Sequence, residues 1–366
     1  MSEELTAGKA ADMMMPADDD QEQTAAARKR QVFRLPPPLG QVMIMAPGLL
    51  RTLHQLNLDA SEIYHRPEGE QILPGMQDHM QVWWNADNTL GVLHTLRSRD
   101  LWQLSMRPWL HYLIVQAGEA VLLHFERYDC LPSENEPPLQ LRIARAALRR
   151  DLGYKSNNDV MLMRMTRQAA DLLGSLYFIT RERLADGGSG RFVFPVITAY
   201  EYAGGKQGGL CCDIAPQFGQ YLLQSGCLTC RKPRGYHFDT RAWRLRGMGS
   251  GRKGSMAFGL YMAACNIWNG CQMQHNGHER QLSDTSPLSC NISGRRERMK
   301  SRTCFRYSRQ TLEQQIPELP WLRHNRGPAA AARQLRQMID ELNEMQLIVH
   351  GCPGPDDSLE LQLSKL

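Results

Sequence analysis

The chain of 366 residues contains one order of predicted elements twice. A short helix, a polar turn, a longer amphipathic helix with basic residues and a β-hairpin are predicted at about 139 to 214, and again at about 305 to 352. A hydrophobic content of 42% is sufficient for two or three folded domains. The repetition therefore predicts an α+β chain with two successive domains of similar topology.

Basic residues are concentrated in parts of the chain. The net charge is +5, although residues 1–30 contain seven acidic and four basic residues. Residues 228–254 contain eight Lys or Arg against Asp239 alone, and residues 295–309 contain seven against Glu297 alone. Such clusters favour a polyanionic partner, because binding releases the counterions of the polyanion.

The composition favours a cytoplasmic location without membrane insertion. No apolar run approaches the roughly 18 to 20 residues that a membrane helix requires. The N-terminus contains Glu3 and Glu4 and does not resemble a secretory signal. We expect the ten cysteines to be reduced thiols, because they are spread through a long chain.

Changes in composition divide the chain into four parts. Residues 1–65 predict a disordered N-terminal arm, since 1–40 lack periodicity and run into three prolines, Pro36 to Pro38. Residues 80–215 predict the first domain, in which Val82 to His124 are strands followed by a helix. Residues 216–352 predict the second domain, with a linking stretch at its start and a long internal loop at 269–303. Residues 353–366 are then a C-terminal tail.

In the first domain, residues 138–143 alternate as a strand and a helix follows from Ala144 to Leu152. The next helix begins after Asn157 or Asn158 and buries a stripe of apolar residues, namely Leu162, Met165, Ala169, Leu172, Leu173 and Leu176. Arg164, Arg167, Gln168 and Asp171 lie on the opposite face. Strands at Tyr177–Leu184 and Phe192–Tyr202 are predicted to pair as a hairpin.

In the second domain, a buried helix is predicted at Ser255–Trp268, a strand at Cys304–Tyr307 and a helix at Arg309–Ile316. The helix from Pro328 to about Met345 is the clearest, with Pro328 suited to a first helical turn. Its core stripe comprises Ala331, Leu335, Met338, Ile339, Leu342 and Met345. Its basic residues lie in the N-terminal half and its acids follow, and residues 346–351 supply a strand.

This order of elements is typical of the winged helix-turn-helix, whose second helix enters a DNA groove by its N-terminal part. We therefore predict two tandem winged helix-turn-helix domains. The predicted DNA-contacting residues are Arg164, Arg167, Gln168, Arg181, Arg306, Arg309, Arg323, His324, Arg326, Arg333, Arg336 and Gln337. Arg can pair with guanine and Gln with adenine, whereas contacts of Arg with phosphate only fix position. An ordinary amphipathic surface helix is the alternative for each.

Motifs for catalysis or metal binding are incomplete. Cys227 and Cys230 form a C-x-x-C without a second pair, so free thiols are the simplest interpretation and zinc the alternative. His275 and His278 are isolated in the predicted loop. The Gly-rich stretch 247–254 lacks the strand and the Ser or Thr of a phosphate loop. We therefore expect no catalytic residue, no metal and no cofactor, and regard a zinc-containing nucleic-acid enzyme as a lesser alternative.

The chain resembles the replication initiators of iteron-containing plasmids between about residues 80 and 352. Four stretches carry the resemblance, at 138–154, 161–177, 242–262 and 333–349. The family implies binding of double-stranded DNA with direct repeats at an origin, opening of the origin and recruitment of the host replicative helicase and sliding clamp. It also implies an equilibrium between monomer and dimer. A transcriptional regulator with the same double fold is the alternative.

A short peptide before the first domain resembles the clamp-binding motif of such proteins. Gln55, Leu56 and Leu58 match its Gln-Leu-x-Leu core, while Asp59 stands where the motif has an aromatic residue. The chance match of an apolar stretch is the alternative. Among the two domains, we expect the second to recognise bases and the first to grip the DNA backbone or to self-associate.

Overall fold

The polypeptide folds into helices and antiparallel sheets, which confirms the α+β class. The computed structural model describes residues 41–44, 47–56, 81–85, 90–94, 96–131, 137–155, 159–183, 189–203, 208–225, 228, 236–248, 256–265, 304–316, 318–353 and 358–363. The predicted disordered stretch 1–40, the predicted loop 269–303 and the pair Cys227 and Cys230 lie outside these residues.

The elements are numbered in chain order within the described residues. The α-helices are α1 (Pro47–Gln55), α2 (Leu96–Leu101), α3 (Arg107–Tyr128), α4 (Arg145–Asp151), α5 (Asp159–Gly174), α6 (Pro216–Gln224), α7 (256–265), α8 (Arg309–Gln315), α9 (Glu318–Arg326) and α10 (Pro328–Glu344). The strands are β1 (Gln41–Ile44), β2 (Gln81–Trp84), β3 (Leu90–His94), β4 (Leu139–Ala144), β5 (Tyr177–Arg183), β6 (Ser189–Phe194), β7 (Ile197–Ala203), β8 (Gly209–Ile214), β9 (Tyr236–Asp239), β10 (Cys304–Tyr307), β11 (Ile348–Pro353) and β12 (Leu359–Leu363). A 3-10 helix spans Thr240–Met248.

The first three-stranded sheet begins with β4, which alternates between buried and exposed residues as predicted. Leu139, Leu141 and Ile143 face the core, because successive side chains of a strand point to opposite faces. β4 pairs with β8, and β8 pairs with β7, all antiparallel. The helices α4 and α5 lie between β4 and β7 in sequence, and α3 precedes β4 and packs against α5. We call α3, β4, α4, α5, β7 and β8 the first repeat.

A second sheet has the same strand order. β10 pairs with β12, and β12 pairs with β11, so in both sheets the last strand in sequence is central. Both sheets also contain a register shift at the same place, between Ile197 and Ala199 in β7 and between Ile348 and His350 in β11. The buried helix α7 precedes this sheet, as predicted. We call α7, β10, α8, α10, β11 and β12 the second repeat.

Two strands of a four-stranded sheet, β5 and β6, lie between α5 and β7 in the sequence of the first repeat. Its order is β2-β3-β5-β6, so the strands predicted after Val82 pair with the hairpin that follows α5. The prediction of one strand at Phe192–Tyr202 is wrong, since β6 ends at Phe194 and β7 begins at Ile197. Pro195 lies between them, and proline has no N–H with which to continue a ladder. The hairpin that joins β4 is therefore β7–β8.

The helix α1 packs between the two repeats and is not part of an extended arm. It contacts α3 of the first repeat and α8 of the second. The buried residues of this segment follow helical spacing, namely Leu49, Leu50, Leu53 and Leu56. The predicted disordered arm at 1–65 is therefore wrong for residues 47–56, because this apolar stripe is covered by the repeats.

Polar contacts join α3 of the first repeat to the end of α1, to the 3-10 helix, and to α9, which lies between α8 and α10 of the second repeat. Arg107 of α3 donates from Nη1 to Glu318 Oε1 of α9 at 3.1 Å and from Nη2 to the carbonyl of Leu56 at 3.3 Å. His111 Nδ1 accepts a hydrogen bond of 2.9 Å from Trp243 Nε1. Burial lowers the pKa of His111 to about 3, so the imidazole is neutral and can accept. The described part of the chain thereby forms one compact unit.

Two segments predicted to be irregular contain regular structure. Residues predicted as a link after the first domain form α6, where Phe218 and Leu222 are buried. The predicted tail 353–366 is wrong at β12, whose alternating leucines are buried and which forms the centre of the second sheet. Among the described residues, no helix combines the length and the apolar character needed to cross a membrane.

Candidate nucleic-acid interface

The third helix of the first repeat, α5, buries one face, as its sequence predicts. Leu162, Met165, Ala169, Leu172 and Leu173 are buried. On the opposite face Arg164 and Arg167 are exposed, and Gln168 and Asp171 are half-buried. The helix therefore offers two guanidinium groups, one amide and one carboxylate to a partner.

The third helix of the second repeat, α10, is built in the same way. Ala331, Leu335, Met338, Ile339 and Leu342 form its buried face, as predicted. Arg333, Arg336 and Asp340 are exposed, and Gln337 is half-buried. Gly327 precedes the helix with φ of 83°, a conformation that glycine adopts readily, and Pro328 occupies the first turn.

The exposed faces of the two helices carry one motif, Arg-x-x-Arg-Gln-x-x-Asp. It runs from Arg164 to Asp171 in α5 and from Arg333 to Asp340 in α10. Both stretches lie in the same register against the core, because the positions between the motif residues are buried in each helix except for the half-buried Gln334. Each helix therefore contributes two arginines to its exposed face.

A second pair of matching stretches lies where the first strand meets the second helix. Arg142, Arg145 and Leu148 in the first repeat correspond to Arg306, Arg309 and Leu312 in the second. Arg306 and Arg309 were predicted as DNA contacts, whereas Arg142 and Arg145 were not. Aligning the two repeats of the sequence at these two motifs identifies Arg142 and Arg145 as further candidate contacts. The side chain of Arg306 lies outside the described residues.

An ion pair fixes the start of α5 against α4. Arg149 Nη2 donates to both carboxylate oxygens of Asp159, at 2.6 and 2.8 Å. Arg145 Nη1 lies 3.6 Å from Asp159 Oδ2. Bidentate arginine–carboxylate contacts have a defined geometry, so this pair sets the position of α5 relative to the strand-to-helix junction.

The corresponding ion pair of the second repeat has the opposite arrangement of charge. Glu313 of α8 stands where the first repeat has Arg149, and its Oε1 lies 2.9 Å from Arg309 Nε and 3.0 Å from Arg323 Nε. Arg323 belongs to α9, and its side chain is only 19% exposed. The predicted contacts Arg309 and Arg323 thus share one carboxylate, which offsets part of their charge.

Each third helix also meets its hairpin at the same place. The Arg167 guanidinium lies over the ring of Tyr202, 5.5 Å from the centroid. Tyr202 of β7 and Pro353 of β11 occupy the same position relative to the register shift of their strands. Pro353 and Arg336 line one groove of about 530 Å³ between α8, α9 and α10. Arg167 therefore contacts its hairpin directly, and Arg336 shares a groove with the matching residue of the other hairpin.

The other predicted contacts are placed as follows. His324 and Arg326 are exposed in the last turn of α9, a helix that the sequence did not predict. Arg181 lies in β5, opposite Arg191 of β6, and thus in the four-stranded sheet and not in β7–β8. Its side chain lies outside the described residues. Arg181 is therefore separated in topology from the hairpins β7–β8 and β11–β12 of the two three-stranded sheets.

The two described residues of the predicted clamp-binding peptide, Gln55 and Leu56, do not have the extended, exposed form that such a peptide requires. Gln55 is the last residue of α1, and Leu56 is buried. The carbonyl of Leu56 accepts the hydrogen bond from Arg107. Leu58 lies outside the described residues. A partner could contact Leu56 only after α1 had left its place between the repeats.

A buried polar cluster supports α4 on α3. Tyr112 donates to Asp151 Oδ2 at 3.1 Å, and Arg150 Nε donates to Asp151 Oδ1 at 2.7 Å. Burial, with a smaller contribution from the negative charge of Asp151, raises the pKa of Glu119 to about 7. Asp151 corresponds to Gln315 in the second repeat, so this acidic cluster belongs to the first repeat alone.

Comparisons with known protein families and with curated proteins found no match for this chain. The assignment of function therefore depends on the two repeats themselves. Their shared feature is a basic and amide-bearing helix face held by the same strand order in each.

Proposed function

We propose that the protein binds double-stranded DNA in a sequence-specific manner through two tandem winged helix-turn-helix units. The recognition helices are α5 and α10. The observation that carries the proposal is the motif Arg-x-x-Arg-Gln-x-x-Asp on the exposed face of both helices. It combines the side chains that pair with guanine and adenine with a carboxylate that can accept from cytosine.

The topology of each repeat supports the winged-helix assignment. A helix, a strand, further helices and a hairpin follow in that order, and the first strand pairs with the last. In this assignment the wings are β7–β8 and β11–β12. Tyr202 of the first wing then lies under Arg167, and Pro353 of the second wing lines one groove with Arg336.

Phosphate contacts are assigned to the arginines around the recognition helices. Arg142 is exposed beside α4, and Arg309, His324 and Arg326 are exposed on α8 and α9. Contacts of this type position a protein on the duplex and make its affinity fall with increasing salt. Base recognition is assigned to Arg164, Gln168, Arg333 and Gln337.

As the biological role we propose initiation of plasmid replication, which the resemblance to iteron-binding initiators supports. Binding to direct repeats, recruitment of the helicase and clamp, and a monomer–dimer equilibrium remain predictions of that resemblance. Footprinting on the DNA beside the gene tests the role. Protection of direct repeats supports it, whereas protection of one promoter site without repeats favours a transcriptional regulator.

DNA binding itself is tested by selecting duplexes from a random pool with the full chain. We expect an enriched sequence that binds about 1,000-fold or more tightly than a shuffled duplex of the same composition. The double variant Arg164→Ala/Arg333→Ala should lose this preference, while Arg127→Ala, which removes an exposed arginine from the end of α3, should keep it. Equal binding of enriched and shuffled duplexes by the wild-type protein contradicts the proposal.

A further inference from the structure

We infer that α5 and α10 recognise the same short base-pair element, so that one binding site contains two copies of it, one under each helix. The inference rests on the proposed function and specifies the DNA that the protein takes. If one helix recognised bases and the other contacted only the DNA backbone, the binding site would contain a single element.

The first argument is the match in chemistry and position. Arg164, Arg167, Gln168 and Asp171 have the same spacing as Arg333, Arg336, Gln337 and Asp340. The matching positions have the same angle to the buried stripe, since side chains three and four residues apart share a helix face. Both helices therefore present the same donors and acceptors in the same order.

The second argument is that the exposed faces match where the cores do not. The buried positions of α5 that correspond to Ala331, Leu335, Met338 and Ile339 are Leu162, Thr166, Ala169 and Ala170. Only Leu173 and Leu342 are identical among the five buried pairs. Folding requires matched volume in a core and makes little demand on exposed residues. Four of the five buried pairs differ, whereas all four motif residues of the exposed face are identical, so the match indicates a shared ligand and not a shared core.

The third argument is that both helices are flanked by basic residues at matching positions. In each repeat an arginine precedes the second helix by three residues and another begins it, Arg142 and Arg145 in the first and Arg306 and Arg309 in the second. The second arginine of the first motif, Arg167, lies over Tyr202 of β7, and that of the second motif, Arg336, lines the same groove as Pro353, the matching position of β11. Arginines at matching positions would contact the DNA backbone in the same way in both repeats.

The side chains of the motif and their spacing limit the length and the base composition of the DNA element. The first arginine and the glutamine are four residues apart, which is about 6 Å along a helix. This distance corresponds to about two base-pair steps. Arginine favours guanine, glutamine favours adenine, and the aspartate accepts from the amino group of cytosine. An element of two to three base pairs containing an A·T pair at the glutamine is the expected ligand of each helix.

The test is the sequence of the duplexes enriched from a random pool by the full chain. We expect one short element to appear twice at a constant separation. Selection is then repeated with Gln168→Ala, with Gln337→Ala and with the control Gln224→Ala, an exposed glutamine at the end of α6. Each motif variant should lose its preference at one copy only, at the same position within the element, with an affinity loss of about 5- to 150-fold for its A·T pair. The control should reproduce the wild-type result.

Two results overturn the inference while leaving DNA binding intact. One is an enriched site with two unrelated elements. The other is a loss of preference in Gln168→Ala and Gln337→Ala at different base identities. A pool without any enriched sequence overturns the proposed function and the inference together. Thermal unfolding of each variant, expected within about 0.5 kcal/mol of wild type for exposed positions, separates these results from misfolding.

Discussion

The two repeats keep the same helix face and differ in what surrounds it. The first has the β5–β6 hairpin between its third helix and its sheet hairpin, whereas the second has α9 between its second and third helices. At the start of the third helix the first exposes Val160 and Met161, and the second has Ala329 and Ala330. The constant part is the surface that can meet a ligand, and the variable part is the scaffold. This difference is what the proposed DNA binding predicts, because a shared ligand constrains the exposed face and not the scaffold.

The ion pairs beside the helices show the same distinction. Arg149 with Asp159 in the first repeat and Glu313 with Arg309 and Arg323 in the second both tie the second helix to the next helical element. The charges at the matching positions Arg149 and Glu313 are opposite. The tie is therefore structural, since a residue that contacts phosphate could not change its sign.

The largest expected effect concerns the contact that holds the repeats together. The Arg107 and Glu318 side chains are 2% and 9% exposed. Arg107→Met should lower the free energy of unfolding by about 3 to 5 kcal/mol, because it leaves a buried carboxylate without its partner. Denaturant unfolding at pH 7 measures this. The double variant Arg107→Met/Glu318→Leu should recover most of the loss, and an additive loss in the double variant contradicts a direct pair.

The next effect is a dependence of stability on pH that arises from the acidic cluster of the first repeat. The pKa of Glu119 is about 7 in the folded chain and near 4.5 when unfolded, so the folded state binds more protons between these values. Stability is therefore lost as the pH rises from about 4.5 to 7, by up to about 3 kcal/mol. Glu119→Gln should be more stable than wild type at pH 8 and similar at pH 4.5. Equal differences at both pH values would show that Glu119 does not titrate in this way.

The smallest effect distinguishes the two DNA elements. Val160 is 82% exposed and Met161 44% exposed, at the end of α5 that would enter the groove. Apolar side chains contact the methyl group of thymine. Replacing thymine by deoxyuridine under α5 should weaken binding by about 0.8 kcal/mol per methyl group, and under α10 by less. Val160→Ala should remove the first effect. A loss of equal size under both helices would contradict this difference.

Much of the fold follows from local pattern. The alternation of Leu139, Leu141 and Ile143 predicts β4, and the glycine–proline start with its apolar stripe predicts α10. Sheet membership was not predictable, because it depends on pairing between distant strands. The strand at Leu359–Leu363 is short and follows the predicted end of the domain at residue 352, yet it is the centre of its sheet. Likewise, α1 is a helix only because two repeats cover its leucines.

The sequence predicted which residues lie on the exposed helix faces, but it did not predict that the two faces are equivalent. Arg164, Arg167, Gln168, Arg333, Arg336 and Gln337 lie on helix faces as their spacing predicts. Their equivalence becomes evident when the matching strand orders and register shifts align the repeats. Arg181 was assigned to a wing because its strand follows α5 in sequence, whereas its pairing places it in the four-stranded sheet.

The most direct test compares Arg164→Ala with Arg333→Ala on one enriched duplex and on a shuffled duplex. If both helices recognise bases, each variant loses about 1 to 3 kcal/mol of binding free energy on the enriched duplex and little on the shuffled one. If Arg164→Ala weakens both duplexes equally while Arg333→Ala affects only the enriched one, the first repeat grips the backbone alone. That result would contradict the equivalence of the two helices.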